Sequence, residues 1–283
     1  MNFVFFSPYT LMWNITLVEK ALKINLDSSE NKIFVVNCNK DLIEHCMCFN
    51  AYGLATHSTK EEKENVCKKC VSYKNLLRVK FDKIFYDIKT LLTTDDNTFI
   101  DNEIRKVNIN NYENFSILNV DVGKIALHDL ILIKKLSSLK KIKDNWPFYI
   151  SILKTSLKCL LAFKNLANIN KIDFVISPNN LYSHHQVVAK YAKTLGIQEY
   201  SILSNALVPH KKLQFSKLLK GINSGFSFNA LKKWRNKNFL LSQESIDFVI
   251  EYLISNFTGN HYLNFSKSKK KNNNFLKKKN WKL

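Results

Sequence analysis

Five of the six cysteines of this chain fall within residues 38–70, in the stretch CNKDLIEHCMCFNAYGLATHSTKEEKENVCKKC. Thiols grouped in this way can ligate a metal, form disulfides, or simply pack as small apolar side chains. Cys67 and Cys70 form a Cys-x2-Cys pair with Cys38 and Cys46 upstream. These four can present thiolates to a tetrahedral zinc at about 2.3 Å each. Cys48, His45 and His57 are spare ligands. The seven-residue gap between Cys38 and Cys46 is not a zinc-ribbon spacing, so reduced cysteines packed beside a loop stand as the alternative. A disulfide framework is disfavoured. The opening MNFVFF lacks the basic segment and the long apolar run of a signal peptide, and cytoplasmic thiols stay reduced.

The elements that would position these residues follow from periodicity. An apolar strand, Phe3–Phe6, runs into the turn Ser7-Pro8-Tyr9-Thr10, then a helical stripe of Trp13, Leu17, Val18, Ala21 and Leu22, then a second strand at Ile33–Val36. The unit is β-α-β, which places the loops after both strands at one carboxyl edge of a parallel sheet. It recurs further on. Ile172–Ile176 reads as a strand, Ser183 begins a helix with a capping box completed by Gln186, Gly196 ends it, and Gln198–Leu203 is the next strand. Helices are expected at Lys124–Leu139, Trp146–Asn168 and Gln243–Phe257, with an Asn- and Asp-rich connection over Thr93–Asn114. The expected class is α/β: a Rossmann-like parallel sheet flanked by helices over residues 1–257, with a cysteine-rich insertion at 38–70 after the second strand.

Composition narrows the partners. The formal net charge is +20, which points to polyanions, yet only Arg78, Arg105 and Arg235 among 43 basic residues are arginine. Base-edge and bidentate phosphate recognition rely on the guanidinium fork, so nucleic acid is a disfavoured partner. After Glu251 the chain carries eight lysines and no carboxylate. Residues 258–283 therefore read as a basic linker or tail suited to anionic lipid headgroups. No run reaches the roughly 18 apolar residues that span a bilayer, because Lys154 and Lys158 interrupt WPFYISILKTSLKCLLAF. The expected location is cytoplasmic, peripheral at the inner face of the cell membrane.

The first strand, the Ser-Pro loop, VVNCNKDLIEHC and CKKC together resemble the amino-terminal half of bacterial surface-polysaccharide glycosyltransferases of the two-Rossmann, GT-B, architecture. NVDVGKIALHDL resembles a loop and helix of that half, and FVISPNNLYSHHQVVAKYAKTLGIQEYSIL its strand, acceptor-side loop, helix and next strand. Cys48, and Asn39 in place of an acidic residue, depart from that pattern. The resemblance implies a cysteine group at this loop, an acceptor site in this half, and a nucleotide-sugar site in a second domain. With six glycines and no glycine-rich loop leading into a helix, that second site has no counterpart here. The expectation is a half-enzyme whose residues 258–283 lead to a missing or separate donor domain.

Candidate site residues follow from the carboxyl edge. Asn179, Asn180, Tyr182 and Ser183 can bind acceptor hydroxyls, while His184 and the free amides of the first helical turn can meet the phosphate of a lipid-linked acceptor. His184 or Asp121 is the candidate base for the attacking hydroxyl, a role that needs an approach of about 3 Å. Each also has a plain structural reading: a turn for the asparagines, an exposed first turn for the histidine, a helix cap for Asp121. No cofactor is expected for catalysis, and any bound zinc is structural. Two rival classes stay open: a basic nucleic-acid-binding protein with a zinc-like module, and a non-catalytic scaffold subunit.

Overall fold

The structure, a computed structural model, describes residues 1–11, 23, 26–54, 58–80, 83–136, 138–178, 181–203 and 217–220, together with residues 243, 247 and 250. The chain divides into two compact units, Met1–Gly225 and Phe226–Leu283. In the second, Gln243, Asp247 and Ile250 are helical, and Gln243 Nε2 donates to Asp247 Oδ1 at 2.9 Å. The tail 258–283 and the stripe Trp13–Leu22 lie outside the described residues.

The first unit is a sheet of β1 (Asn2–Phe6), β2 (Lys32–Asn37), β3 (Ile84–Asp87), β4 (Phe174–Pro178), β5 (Gln198–Leu203) and β6 (Lys217–Lys220), in the order β3-β2-β1-β4-β5-β6. The first five are mutually parallel, and β6 runs antiparallel to β5. A strand buried on both faces needs apolar side chains at consecutive positions, and FVFF of β1 and IFVV of β2 are of this kind. Their alternation divides the core. Val4, Phe6, Phe34, Val36 and Val175 face one cluster, while Phe3, Phe5, Ile33, Val35 and Ile176 face the other. The α/β, Rossmann-like expectation holds.

The helices are α1 (Met47–Ala51), α2 (Lys60–Lys80), α3 (Ile88–Leu91), α4 (Thr94–Lys106), α5 (Val122–Lys134), α6 (Trp146–Ile169) and α7 (Ser183–Thr194). The long α6 buries Ile152, Leu153, Leu157, Leu160, Leu161 and Phe163 and packs against α3, α4, α5 and α7. Among the described residues no helix is long and apolar enough to cross a membrane.

Several local expectations need correction. Thr93–Asn114 is not a connection throughout, because α4 occupies Thr94–Lys106. Thr93 Oγ1 accepts from the Asp96 N–H at 3.0 Å, and the Asp96 carboxylate accepts from the Thr93 N–H at 2.8 Å, which is a capping box. α5 stops at Lys134 rather than Leu139, since Lys135 turns left-handed with φ of 49°. Ser183 is not a cap: Tyr182 holds that position, and the Ser183 hydroxyl has no partner among the described residues. Gly196, at φ of 73°, closes α7 as expected. Residues 38–70 are the crossover from β2 to β3 itself: a loop, α1, and the first half of α2.

Candidate functional site

The strand order reverses between β1 and β4, so the loops leaving their carboxyl ends bound the crevice where doubly wound folds take ligands. The loop after β1 is held in place by its neighbour. Ser7 N–H donates to Val36 O at 2.9 Å, and Asn37 Nδ2 donates to Ser7 O at 2.9 Å. This aims Tyr9 at the start of α7, where its hydroxyl bonds His184 Nδ1. His184 Nε2 lies 3.0 Å from Thr155 Oγ1, and that hydroxyl is 3.0 Å from both the Ser151 and Ile152 carbonyls of α6.

These contacts fix the proton positions. Carbonyls only accept, so the Thr155 hydroxyl donates to α6 and its oxygen accepts from His184 Nε2–H. His184 Nδ1 then accepts from Tyr9. The chain ends on an amide carbonyl, which takes no proton, and His184 is fully buried. Burial, and then His45 and His185, hold His184 well below the ordinary imidazole range. It ties the β1 loop to α6 and α7 as a neutral ring. Because the unfolded ring protonates near pH 6.5 and the folded ring does not, this contribution is complete above about pH 6.5 and is lost as pH falls. Chemical denaturation of the parent at pH 5 should show a loss relative to pH 7 that is smaller by about 2 kcal/mol in His184→Gln. An identical pH dependence in the two proteins would contradict this assignment.

A second buried group stands beside the first. Asp129 of α5, fully buried, accepts from the Ser183 N–H at 2.9 Å through Oδ2. His45 Nε2 stands 3.8 Å from the same oxygen, and its ring is 5.2 Å from that of His184. Asp129 Oδ1, His45 Nε2 and Asn37 Oδ1 have no hydrogen-bond partner among the described residues. With a carboxyl on the first amide of α7, this helix start is not the open phosphate cradle expected from the sequence. His45, a spare metal ligand by its position in the chain, turns toward Asp129.

The structure thus gathers Tyr182, Ser183 and His184 at the start of α7. Asn179, Asn180 and His57 lie outside the described residues. Asp121 stands at the N-cap position of α5 without a side-chain capping bond, exposed and 3.8 Å from Lys124 Nζ. It is eight residues, about 12 Å along the helix axis, from Asp129. Asp129 was legible as a charge on the stripe of Ile125, Ala126 and Leu130, whereas Tyr9, His45 and Thr155 carry no local signal.

Two cavities flank this centre. One, of about 260 Å³, is lined by Asp41, Lys89, Leu92, Asn97 and Lys158. Asp41 follows β2 and Lys89 follows β3, so this cavity also belongs to the carboxyl edge. Lys158 Nζ donates to Asp41 O at 3.1 Å, and Asn39 N–H donates to Asp41 Oδ2 at 3.0 Å. Burial raises the Asp41 carboxyl above its ordinary range, against the hydrogen bonds of Asn39 and Lys89. The other cavity is much smaller, about 10 Å³, and its lining includes Cys38, Cys46, Cys48, Cys67 and Cys70. The four thiols expected to act together do come together, with Cys48 as a fifth. Among the described residues no three His, Cys, Asp or Glu side chains already stand in coordinating positions.

Fold and site define an α/β protein with a Rossmann-like parallel sheet and a polar cavity at the carboxyl edge of that sheet. Comparison with protein families, with curated proteins and with solved structures finds no match to this chain.

Proposed function

We propose that this chain is the acceptor-side unit of a glycosyltransferase of cell-surface polysaccharide assembly. The observation that carries the reading is the open polar cavity at the carboxyl edge, where Asp41, Lys89, Asn97 and Lys158 offer the charged and amide groups that bind sugar hydroxyls. The likeness of the β1, β2 and β4 segments to such enzymes supports it. The acceptor is a glycan or a lipid-linked glycan. The nucleotide sugar is bound by a second domain or a separate chain, and the lysines of 258–283 rest on an anionic membrane surface.

In the transfer, an acceptor hydroxyl oxygen bonds to the anomeric carbon, the bond from that carbon to the nucleoside diphosphate breaks, and the hydroxyl proton passes to a base. Of the carboxylates and imidazoles considered, Asp41 best fits the base, because it lies in the open cavity and its proton affinity is raised. His184, with both nitrogens engaged, is a positioning residue. Exposed Asp121 lies at the far end of α5 from Asp129. Asn179, Asn180 and Tyr182 remain proposed acceptor contacts.

The test is calorimetric titration of the full chain with neutral oligosaccharides, polyprenyl-phosphate glycans, uridine and guanosine diphosphate sugars, single-stranded RNA, and neutral or anionic vesicles. Saccharides should bind, and Asp41→Ala should weaken them about tenfold, the value of one hydrogen bond to a charged group. Anionic vesicles should bind and neutral ones should not. Tight binding of a nucleotide sugar would contradict the half-enzyme reading. RNA binding that falls steeply with salt, with no saccharide binding, would establish the nucleic-acid rival instead.

A further inference from the structure

The turn from α5 to α6 carries LIKKLSSLKKIKDNW, residues 132–146, with five lysines, three leucines and one carboxylate, Asp144. Its backbone is well fixed. Lys135 turns left-handed at φ of 49°, Leu136 N–H donates to Ile131 O at 3.2 Å, Leu139–Asn145 form a 3-10 helix, and Asn145 Nδ2 donates to Lys141 O at 2.9 Å. Leu136 packs against the core and Ile142 is buried, which anchors the turn from beneath. Leu132 and Leu139 face outward, 45% and 42% exposed. Lys135, Lys141 and Lys143 are exposed beside them and form no ion pair among the described residues. Lys74, Lys106, Lys154 and Lys158 elsewhere each meet a carboxylate. From this surface we infer that the α5–α6 turn docks on an anionic lipid bilayer, with its lysines over headgroup phosphates and Leu132 and Leu139 at the acyl boundary.

The chemistry favours a bilayer over other polyanions. Nucleic acids reward guanidinium forks and free aromatic faces, whereas this span has no arginine and its one aromatic residue, Trp146, is stacked on Tyr149 with ring centroids 5.2 Å apart. Exposed leucines gain nothing from a phosphodiester backbone but leave water at an acyl boundary. Each lysine adds about fivefold in affinity near anionic headgroups. The place of the turn gives docking a consequence. Lys134 Nζ stands 5.2 Å from the centre of the Phe148 ring, and that ring meets His45 edge-on at 5.4 Å. His45 belongs to the loop after β2, so the turn adjoins the carboxyl edge of the sheet, and docking brings that edge to the headgroups. On the transferase reading, a lipid-linked acceptor would be met there in its own membrane. The span is separate in the chain from the lysines of 258–283. Docking requires no transferase activity, so vesicle and saccharide titrations can fail separately.

The experiment is sedimentation of the full chain with vesicles of phosphatidylcholine, alone or mixed with phosphatidylglycerol. Mixed vesicles should bind and neutral ones should not. Lys135→Gln, Lys141→Gln and Lys143→Gln together should weaken binding about 100-fold, from three losses of about fivefold each. Leu132→Ser with Leu139→Ser should weaken it at least about fivefold at unchanged net charge. A chain with the eight tail lysines changed to Gln should still bind, and that binding should still depend on Lys135, Lys141 and Lys143. Amide exchange in the parent should slow over residues 135–143 when vesicles are added, and this measurement decides the case if circular dichroism shows a variant to be unfolded. A parent that ignores mixed vesicles overturns the surface, as do parent-like binding by the triple lysine variant and complete loss in the tail variant. Single-stranded RNA binding that falls in the triple lysine variant, with vesicle binding unchanged by the leucine pair, makes this a nucleic-acid surface and overturns the bilayer.

Discussion

Gly123→Val should cost this protein about 4 kcal/mol or more of folding stability, at the extreme of what single substitutions do. A Cβ at this position would lie 1.9 Å from the Tyr112 carbonyl oxygen and 3.1 Å from its carbon. Neither side can yield easily. Gly123 N–H donates to Phe115 O at 2.9 Å, and the Tyr112 carbonyl accepts from the buried Tyr149 hydroxyl at 3.1 Å, so backbone meets backbone across the start of α5. Gly123→Ala carries the same collision and should cost about 3 kcal/mol. The control is Gly53→Ala, where φ is +74° but nothing lies within 4 Å, and about 1 kcal/mol of backbone strain is expected. Denaturant midpoints measure all three. A Gly123→Ala protein within about 0.5 kcal/mol of the parent, on the scale of a surface change, would contradict this close contact between α5 and the Tyr112 carbonyl. The consequence reaches the site, because α5 carries Asp129 to the first amide of α7.

Asp87→Ala is expected to destabilise by about 3 to 5 kcal/mol, the cost of stranding a buried charge. Asp87 ends β3. Its carboxylate lies 3.1 Å from Lys74 Nζ and 2.8 Å from Arg78 Nη2, both on α2. Lys74 is only 3% exposed, so water cannot replace the lost partner. Replacing both ends of the pair, Asp87→Leu with Lys74→Met, should recover most of the loss, because an apolar pair carries no desolvation cost. If the single variant loses under 1 kcal/mol, the lysine reaches solvent and the pair is a surface one. The pair also holds α2, and with it Cys67 and Cys70, against the sheet edge.

Local signals did well wherever burial imposes a period. FVFF, IFVV and FVIS are apolar at consecutive positions because parallel strands are covered on both faces, and all three are strands. The 24-residue α6 was legible for the same reason. α2 was not. KEEKENVCKKCVSYKNLLRVK is polar nearly all round, its buried positions are few, and Lys74 among them is paid for by a partner outside the helix. α4 was missed in a run rich in Asn and Asp, although its capping box was in plain view at Thr93 and Asp96.

The sequence by itself determined the α/β class, the first two strands, the β4-α7-β5 unit and the grouping of cysteines after the second strand, because each depends on residue type at short spacing. Only the tertiary structure decided which groups meet. Tyr9 and His184 are 175 residues apart and Ser183 and Asp129 are 54 apart, and no local period encodes such contacts. Nor could spacing show that His184 is enclosed with both nitrogens engaged, that Asp41 faces an open cavity, or that Cys48 joins the other four thiols round one small cavity. Burial and long-range hydrogen bonding are properties of the folded sheet and its crossovers, and they set the proton affinity and reach on which any chemistry here depends.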